Sequence, residues 1–177
     1  MTEQIRTLLD EARVARKRGD ASMALATAKR ALALVGDGAA DADLTARIHC
    51  AIGQFERDLN DLENSARSYA RGVSNFEKSA NATAKAHALR HQGDLERLLG
   101  RLDAAESLVC EAISIYRDHE MSDEIAMANA ERVLALVRDA QGRSRKARKS
   151  WLDARKIYAM HKIDSGVAEC DERLASL

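Results

Sequence analysis

Along the chain, apolar residues recur three and four positions apart for fifteen to eighteen residues at a stretch, give way to a short polar or glycine-containing break, and resume. That spacing places the apolar set on one face of an α-helix. It predicts helices over about 3–18, 20–35, 42–59, 61–78, 82–99, 102–118, 123–141, 143–160 and 165–176. Breaks fall at Gly36-Asp37-Gly38, Ser79-Ala80-Asn81, Ser122-Asp123 and Asp164-Ser165-Gly166, which supply capping side chains or flexible backbone. The chain has no proline and few β-branched or aromatic residues, and it is rich in Ala, Leu, Arg and Glu. That bias favours helix and disfavours strand, so the expected fold class is all-α.

The helices are not independent of one another. Sliding the sequence against itself by 40 to 42 positions aligns Gly19, Asn60, Gly100 and Gly142, each closing one helical pattern just before the next. Gly and Asn tolerate the left-handed conformation required at a helix C-terminus, so these positions read as the turns of four helical hairpins. Other columns keep the same register. Seven residues before the turn stand Ala12, Gly53, Gly93 and Ala135; five after it, Ala24, Ser65, Ala105 and Ala147; twelve after it, Ala31, Gly72, Ala112 and Ala154. Every one is small, which lets the two helices of a hairpin approach closely. Five before the turn come the apolar Val14, Phe55, Leu95 and Val137.

A two-helix unit cannot cover its own apolar face, so successive hairpins must stack, and about three are needed for a stable array. The four units cover about 3–35, 42–78, 82–118 and 123–160 of a single domain, 1–177. The last segment, about 165–176, spaces Val167, Cys170, Leu174 and Leu177 among charged residues, as a capping helix should.

Composition removes several classes of function. A membrane span needs roughly 20 consecutive apolar residues, and charged residues interrupt every apolar stretch, so no membrane partner is expected. The N-terminus carries charges where a signal peptide would be apolar, so a cytoplasmic location is expected. Cys50, Cys110 and Cys170 are odd in number and far apart, fitting packed or half-buried thiols in a reducing compartment. With 28 basic and 28 acidic residues, net charge gives no argument for nucleic acid, and only the distribution of charge can speak.

At this point the residues resemble the tetratricopeptide repeat family. In the third unit, Leu89, Gly93, Gly100, Ala105 and Ala112 follow the family's order of large, small, turn, small and small positions, and Tyr69 and Trp151 stand where the family favours an aromatic. The likeness covers about 3–160, with units longer than the commonest ~34 residues, as in the kinesin-light-chain-like branch. The first and fourth units depart most, carrying Glu11 and Glu131 where large apolar residues are usual. The resemblance implies a right-handed α-solenoid whose first helices line a concave groove for a partner's peptide or helix, acting as a non-catalytic adaptor without a cofactor.

The first helices of the units carry recurring arginines. Three residues before the turn are Arg16, Arg57, Arg97 and Asp139; thirteen before are Arg6, Arg47, His87 and Asn129; Arg13, Arg90, His91, Asp94 and Arg132 lie nearby. Guanidinium groups offer forked donors to carboxylates and phosphates, so an acidic partner segment is expected at Arg6, Arg13, Arg16, Arg47, Arg57, His87, Arg90, His91, Asp94, Arg97 and Arg132. The competing explanation is a solvated face whose arginines pair with acids three or four residues away. A second basic feature, 143–156 on an outer helix, supports the alternative of a nucleic-acid-associated protein, although aromatic residues for stacking are almost absent. Its contact with the acidic stretch Asp118, Glu120, Asp123 and Glu124 of another copy would give self-association. His87 and His91, at i and i+4, have metal-ligand spacing, with His49 or Cys50 as a conceivable third ligand, but lack the Glu of a zinc-protease motif. No metal site and no enzymatic activity are expected.

Overall fold

The computed structural model describes residues 2–35, 41–118 and 124–177. They form α1 (Thr2–Lys17), α2 (Ala21–Val35), α3 (Ala42–Asp58), α4 (Leu62–Lys78), α5 (Ala82–Leu98), α6 (Leu102–Asp118), α7 (Glu124–Ala140), α8 (Ser144–Met160) and α9 (Asp164–Ser176). No strand occurs among the described residues. The expected breaks at Gly36–Gly38 and Ser122-Asp123 lie outside them. Helices pair in chain order, α1 with α2, α3 with α4 and α7 with α8, and second helices pack on the next first helix, α2 on α3, α6 on α7 and α8 on α9. This is the stacked-hairpin pattern of an all-α solenoid. The chain divides into two compact units, Met1–Ala88 and Leu89–Leu177.

Each hairpin turn is closed by backbone chemistry that the sequence announces. Gly19, Asn60, Gly100 and Gly142 have φ of 83°, 61°, 77° and 70°. The residue after each returns its N–H five residues back, as in Asp61 N to Glu56 O at 2.9 Å and Arg101 N to Glu96 O at 2.8 Å, satisfying carbonyls that the helix end would orphan. Asp20, Asp41, Asp61 and Asn81 then accept the N–H three residues on, capping α2, α3, α4 and α5.

Two connections between hairpins use the same closure without glycine. Ala80 and Lys162 adopt φ of 54° and 55°, with Asn81 N bonding Phe76 O at 3.1 Å and Ile163 N bonding Tyr158 O at 2.9 Å. The last break therefore sits at His161–Ile163, and not at Asp164–Gly166 as the sequence reading has it. Gly166 lies inside α9, where a Cβ would come within 2.7 Å of the Tyr158 ring. It is a packing glycine.

In unit 1 the core joins Ile5, Leu8, Leu9 and Ala12 of α1, Ala24, Ala28 and Ala31 of α2, and Ile48, Ile52 and Phe55 of α3. The small columns are buried in both units: Ala12, Ala24, Ala31, Ala105, Ala112, Ala135, Ala147 and Ala154 are all 0% exposed. At Gly72 a Cβ would stand 2.6 Å from Cys50 Sγ. The missing side chain leaves room for the Cys50 thiol against α4. Hydrogen bonds also tie the hairpins across: Ser65 Oγ donates to Gly53 O at 2.6 Å, Ser68 Oγ to Glu56 at 2.6 Å, and Arg138 to Ser150 Oγ at 3.0 Å.

The apolar column breaks at its first member. Phe55, Leu95 and Val137 are 0–2% exposed, whereas Val14 is 46% exposed. Val14 faces an open cleft that it lines with Thr7 and Glu11 of α1 and Met23, Thr27 and Arg30 of α2, and Thr7 and Glu11 are exposed beside it. In unit 2, Trp151 is fully buried among Ala128, Ala135, Ala147, Ala154, Tyr158 and Cys170, and its Nε1 donates to Asp139 at 3.3 Å. α9 covers that cluster with Val167, Cys170 and Leu174; Leu177, expected on the same face, is 38% exposed. Ala175 stands 40 residues after Ala135, continuing the small column, so α9 occupies the place of a first helix in a fifth unit. Cys110, expected to pack, is exposed on α6, and all three cysteines are free thiols.

Candidate partner-binding face

The eleven candidate residues divide between the units: Arg6, Arg13, Arg16, Arg47, Arg57 and His87 belong to unit 1, and Arg90, His91, Asp94, Arg97 and Arg132 to unit 2. In unit 1, Arg6, Arg13 and Arg47 line one cleft of about 280 Å³ with Leu9, Asp10, Asp41, Asp43 and Leu44, from α1 and α3. Three of the acidic side chains in and beside this face have tasks of their own. Asp41 caps α3, Asp43 accepts from Asn81 Nδ2 at 2.6 Å, and Asp58 accepts from Gln54 at 2.9 Å.

The arginines meet these acids directly. Arg13 pairs with Asp10 at 2.7 Å and Arg47 with Asp43 at 2.5 Å, along single helices. Arg16 of α1 reaches Asp58 of α3 at 2.5 Å with Nε and 3.3 Å with Nη2. Burial alone would raise the Asp43 and Asp58 carboxyls. Hydrogen bonds from Arg47 and Asn81 to Asp43, and from Arg16 and Gln54 to Asp58, with the nearby guanidinium charges, outweigh that and hold both below the usual carboxylate range. Arg6 forms no ion pair among the described residues, while Arg57 and His87 are half-buried and engaged within the protein.

Unit 2 binds its candidates more tightly into the fold. Asp94 is 8% exposed and accepts from Arg97 Nε at 3.0 Å and Nη2 at 2.8 Å. Arg132 of α7 forks onto Glu169 of α9 with two bonds of 2.6 Å; that pairing raises the Arg132 guanidinium pKa against the opposing effect of burial. Arg90 Nη2 lies 2.9 Å from His91 Nε2. Tyr158 beside them donates to Asn129 at 2.9 Å, and burial pushes its hydroxyl up to about 12. No group of three His, Cys, Asp or Glu suited to a metal ion occurs among the described residues.

Magnitude separates the two sets. An exposed ion pair contributes roughly 0–1 kcal/mol and exchanges readily. Arg13–Asp10, with side chains 61% and 71% exposed, and Arg47–Asp43, at 54% and 32%, fall in that class. Arg97–Asp94, at 22% and 11%, and Arg132–Glu169, at 35% and 30%, lie deeper; the first is formed along α5 and the second ties α7 to α9. The pairings of Arg16 with Asp58 and Arg132 with Glu169 span 42 and 37 residues and carry no local sequence signal.

Sequence reasoning passed over one further cluster. Glu131 of α7, 4% exposed, pairs with Arg117 of α6 at 2.9 Å, and burial raises its carboxyl pKa. Glu106 of α6 takes Arg138 at 3.1 Å and Arg143 at 2.7 Å. Only the departure of Glu131 from the apolar column marks this cluster in the sequence. Of the acidic stretch offered for self-association, Glu120 and Asp123 lie outside the described residues, and Glu124 lies 2.6 Å from His161 Nε2.

No family model matches the sequence, and no curated protein matches it. Solved structures do. BtubC (BKLC) from P. vanneervenii is 18% identical and superposes with a TM-score of 0.82 over 89% of this chain and 64% of that one. RapI in its apo form is 15% identical, with a TM-score of 0.88 over 95% and 60%. A Podosopora anserina kinesin light chain of nearly identical TPR-like repeats is 11% identical, with a TM-score of 0.73 over 97% and 93%. The chain thus spans about three fifths of the length of BtubC and RapI. Its fold is that of a tetratricopeptide-type repeat protein. Folds of this type generally mediate protein–protein interaction and are typically non-catalytic scaffolds.

Proposed function

We propose that the protein is a non-catalytic, cytoplasmic adaptor that receives an acidic peptide or helix of a partner protein on the first-helix face of unit 1. The observation that carries this reading is the Arg6, Arg13 and Arg47 cleft. Arg6 has no acid of its own there, and the pairs of Arg13 and Arg47 are exposed enough to exchange for a partner's carboxylates at small cost. The deeper arginines Arg97 and Arg132 act within the fold, so unit 1 is the favoured half. Leu9 and Leu44 give the cleft an apolar floor against which a partner side chain packs.

Nuclease-treated affinity capture from the native lysate tests this, comparing the wild type with an Arg6→Glu, Arg13→Glu, Arg47→Glu variant shown to be folded by circular dichroism. The reading expects a protein held by the wild type and released by the variant. Identical capture by both forms overturns it.

A further inference from the structure

We propose that the outward face of α8 is a docking surface for an anionic lipid membrane. α8 buries Ala147, Ser150, Trp151, Ala154 and Tyr158. Its opposite face carries Arg145, Lys149, Leu152, Lys156 and Met160, at steps of four, three, four and four residues, a stripe about 22 Å long. Arg145, Lys149 and Lys156 on this stripe, and Lys146 at its edge, are exposed and form no ion pair among the described residues. The neighbouring Arg143 and Arg155 are instead neutralised by Glu106 and Asp171. The one acid of the helix, Asp153, is half-buried on the flank of the stripe.

Two apolar side chains sit in line with these cations: Leu152 is 48% exposed and Met160 is 60% exposed. They distinguish between partners. A phosphodiester backbone would neutralise the cations and leave both uncovered, and the aromatics that could stack on bases, Trp151 and Tyr158, are 0% and 3% exposed. A bilayer interface satisfies both features, with headgroup phosphates meeting Arg and Lys while Leu and Met enter the acyl boundary. Each cation near an anionic surface strengthens binding roughly fivefold, so four unpaired ones favour anionic over neutral lipid by several hundredfold. A peripheral contact of this kind needs no spanning helix, and no helix among the described residues is long and apolar enough to cross a membrane.

The test is co-sedimentation of the whole chain with vesicles of phosphatidylcholine alone or mixed with phosphatidylglycerol, at low and high salt, with duplex DNA assayed in parallel. Binding to the mixed vesicles alone is expected, lost by about a hundredfold or more in Arg145→Glu, Lys149→Glu, Lys156→Glu and weakened several-fold in Leu152→Gln, Met160→Gln. Both variants alter only solvent-facing positions, and circular dichroism verifies their helicity. No difference between the two lipid mixtures overturns the proposal. So does DNA binding that depends on the cations, is indifferent to Leu152→Gln, Met160→Gln and exceeds the vesicle binding, which would assign the face to nucleic acid. Capture of an acidic protein through these residues without vesicle binding would overturn it as well.

Discussion

Replacing Gly93 by alanine sets two known quantities against each other. In an isolated helix the change stabilises by about 1 kcal/mol, because glycine loses more backbone freedom on folding. Here a Cβ at position 93 would lie 2.5 Å from Val109 Cγ2, 3.2 Å from Ala105 O and 3.5 Å from Leu108 Cβ. Carbon atoms pack at about 3.5–4.0 Å, so α5 and α6 must separate or Val109 must move by about 1 Å. Val109 is 0% exposed and β-branched, which removes the easy rotameric escape. Overpacking of this kind costs roughly 1–3 kcal/mol, so Gly93→Ala is expected to destabilise by about 1 kcal/mol net. For a chain of this size that is a fall in Tm of roughly 2–4 °C. Urea denaturation followed by circular dichroism measures it. The double variant Gly93→Ala, Val109→Ala isolates the cause, because shortening Val109 removes the collision: the pair should be more stable than the sum of the singles by at least about 0.5 kcal/mol. Unchanged or increased stability in Gly93→Ala, or strict additivity in the double variant, refutes the close-approach argument.

Glu131→Gln tests the buried carboxyl. Burial raises its folded pKa above the unfolded value, so its stabilising contribution is full below the unfolded pKa and disappears as pH rises through the folded one. The variant should therefore gain stability relative to wild type as pH rises above the unfolded carboxyl's value of about 4.3, and a gap that narrows as pH rises would reject the assignment. Asp58 behaves oppositely: burial is outweighed by its bonds to Arg16 and Gln54, its pKa is lowered, and its contribution is present above the unfolded pKa and lost as pH falls through the folded one. A double-mutant cycle on Arg16 and Asp58 should give at most about 1 kcal/mol of coupling, shrinking with salt, because the side chains are 46% and 27% exposed. Glu169→Gln removes the counter-ion of Arg132, and hydrogen exchange should quicken in α9 while α7 and α8 keep their protection; uniform change across unit 2 would show that the pair does not tie α9 locally.

The hairpin architecture was legible because each turn and close approach demands a particular residue type. Gly19, Asn60, Gly100 and Gly142 all adopt the left-handed conformation their identities allow, and the alanines of the small columns are fully buried. Ala80 and Lys162 take that conformation without being glycine or asparagine. Their side chains do not announce a turn, and so the last break falls a few residues before the place that Asp164, Ser165 and Gly166 mark. Val14 matched its column but not its surroundings, since burial depends on a neighbour that covers that face. For the candidate site the recurrence of arginine was visible and its partners only partly so. Asp10 with Arg13, Asp43 with Arg47 and Asp94 with Arg97 follow from helical spacing. The pairs from Arg16 to Asp58 and from Arg132 to Glu169 depend on how neighbouring helices stack. That stacking decides which arginines are available to a partner.

The central claim is that Arg6, Arg13 and Arg47 receive a partner's carboxylates. Its most direct measurement is a charge swap on the captured partner's binding segment, with affinity followed by titration calorimetry. Arg47→Glu should weaken binding by about tenfold, and a Glu→Lys or Asp→Lys change at the facing position of the segment should restore it. Affinity indifferent to Arg47→Glu, or a loss that no reversed charge on the segment recovers, would contradict the account.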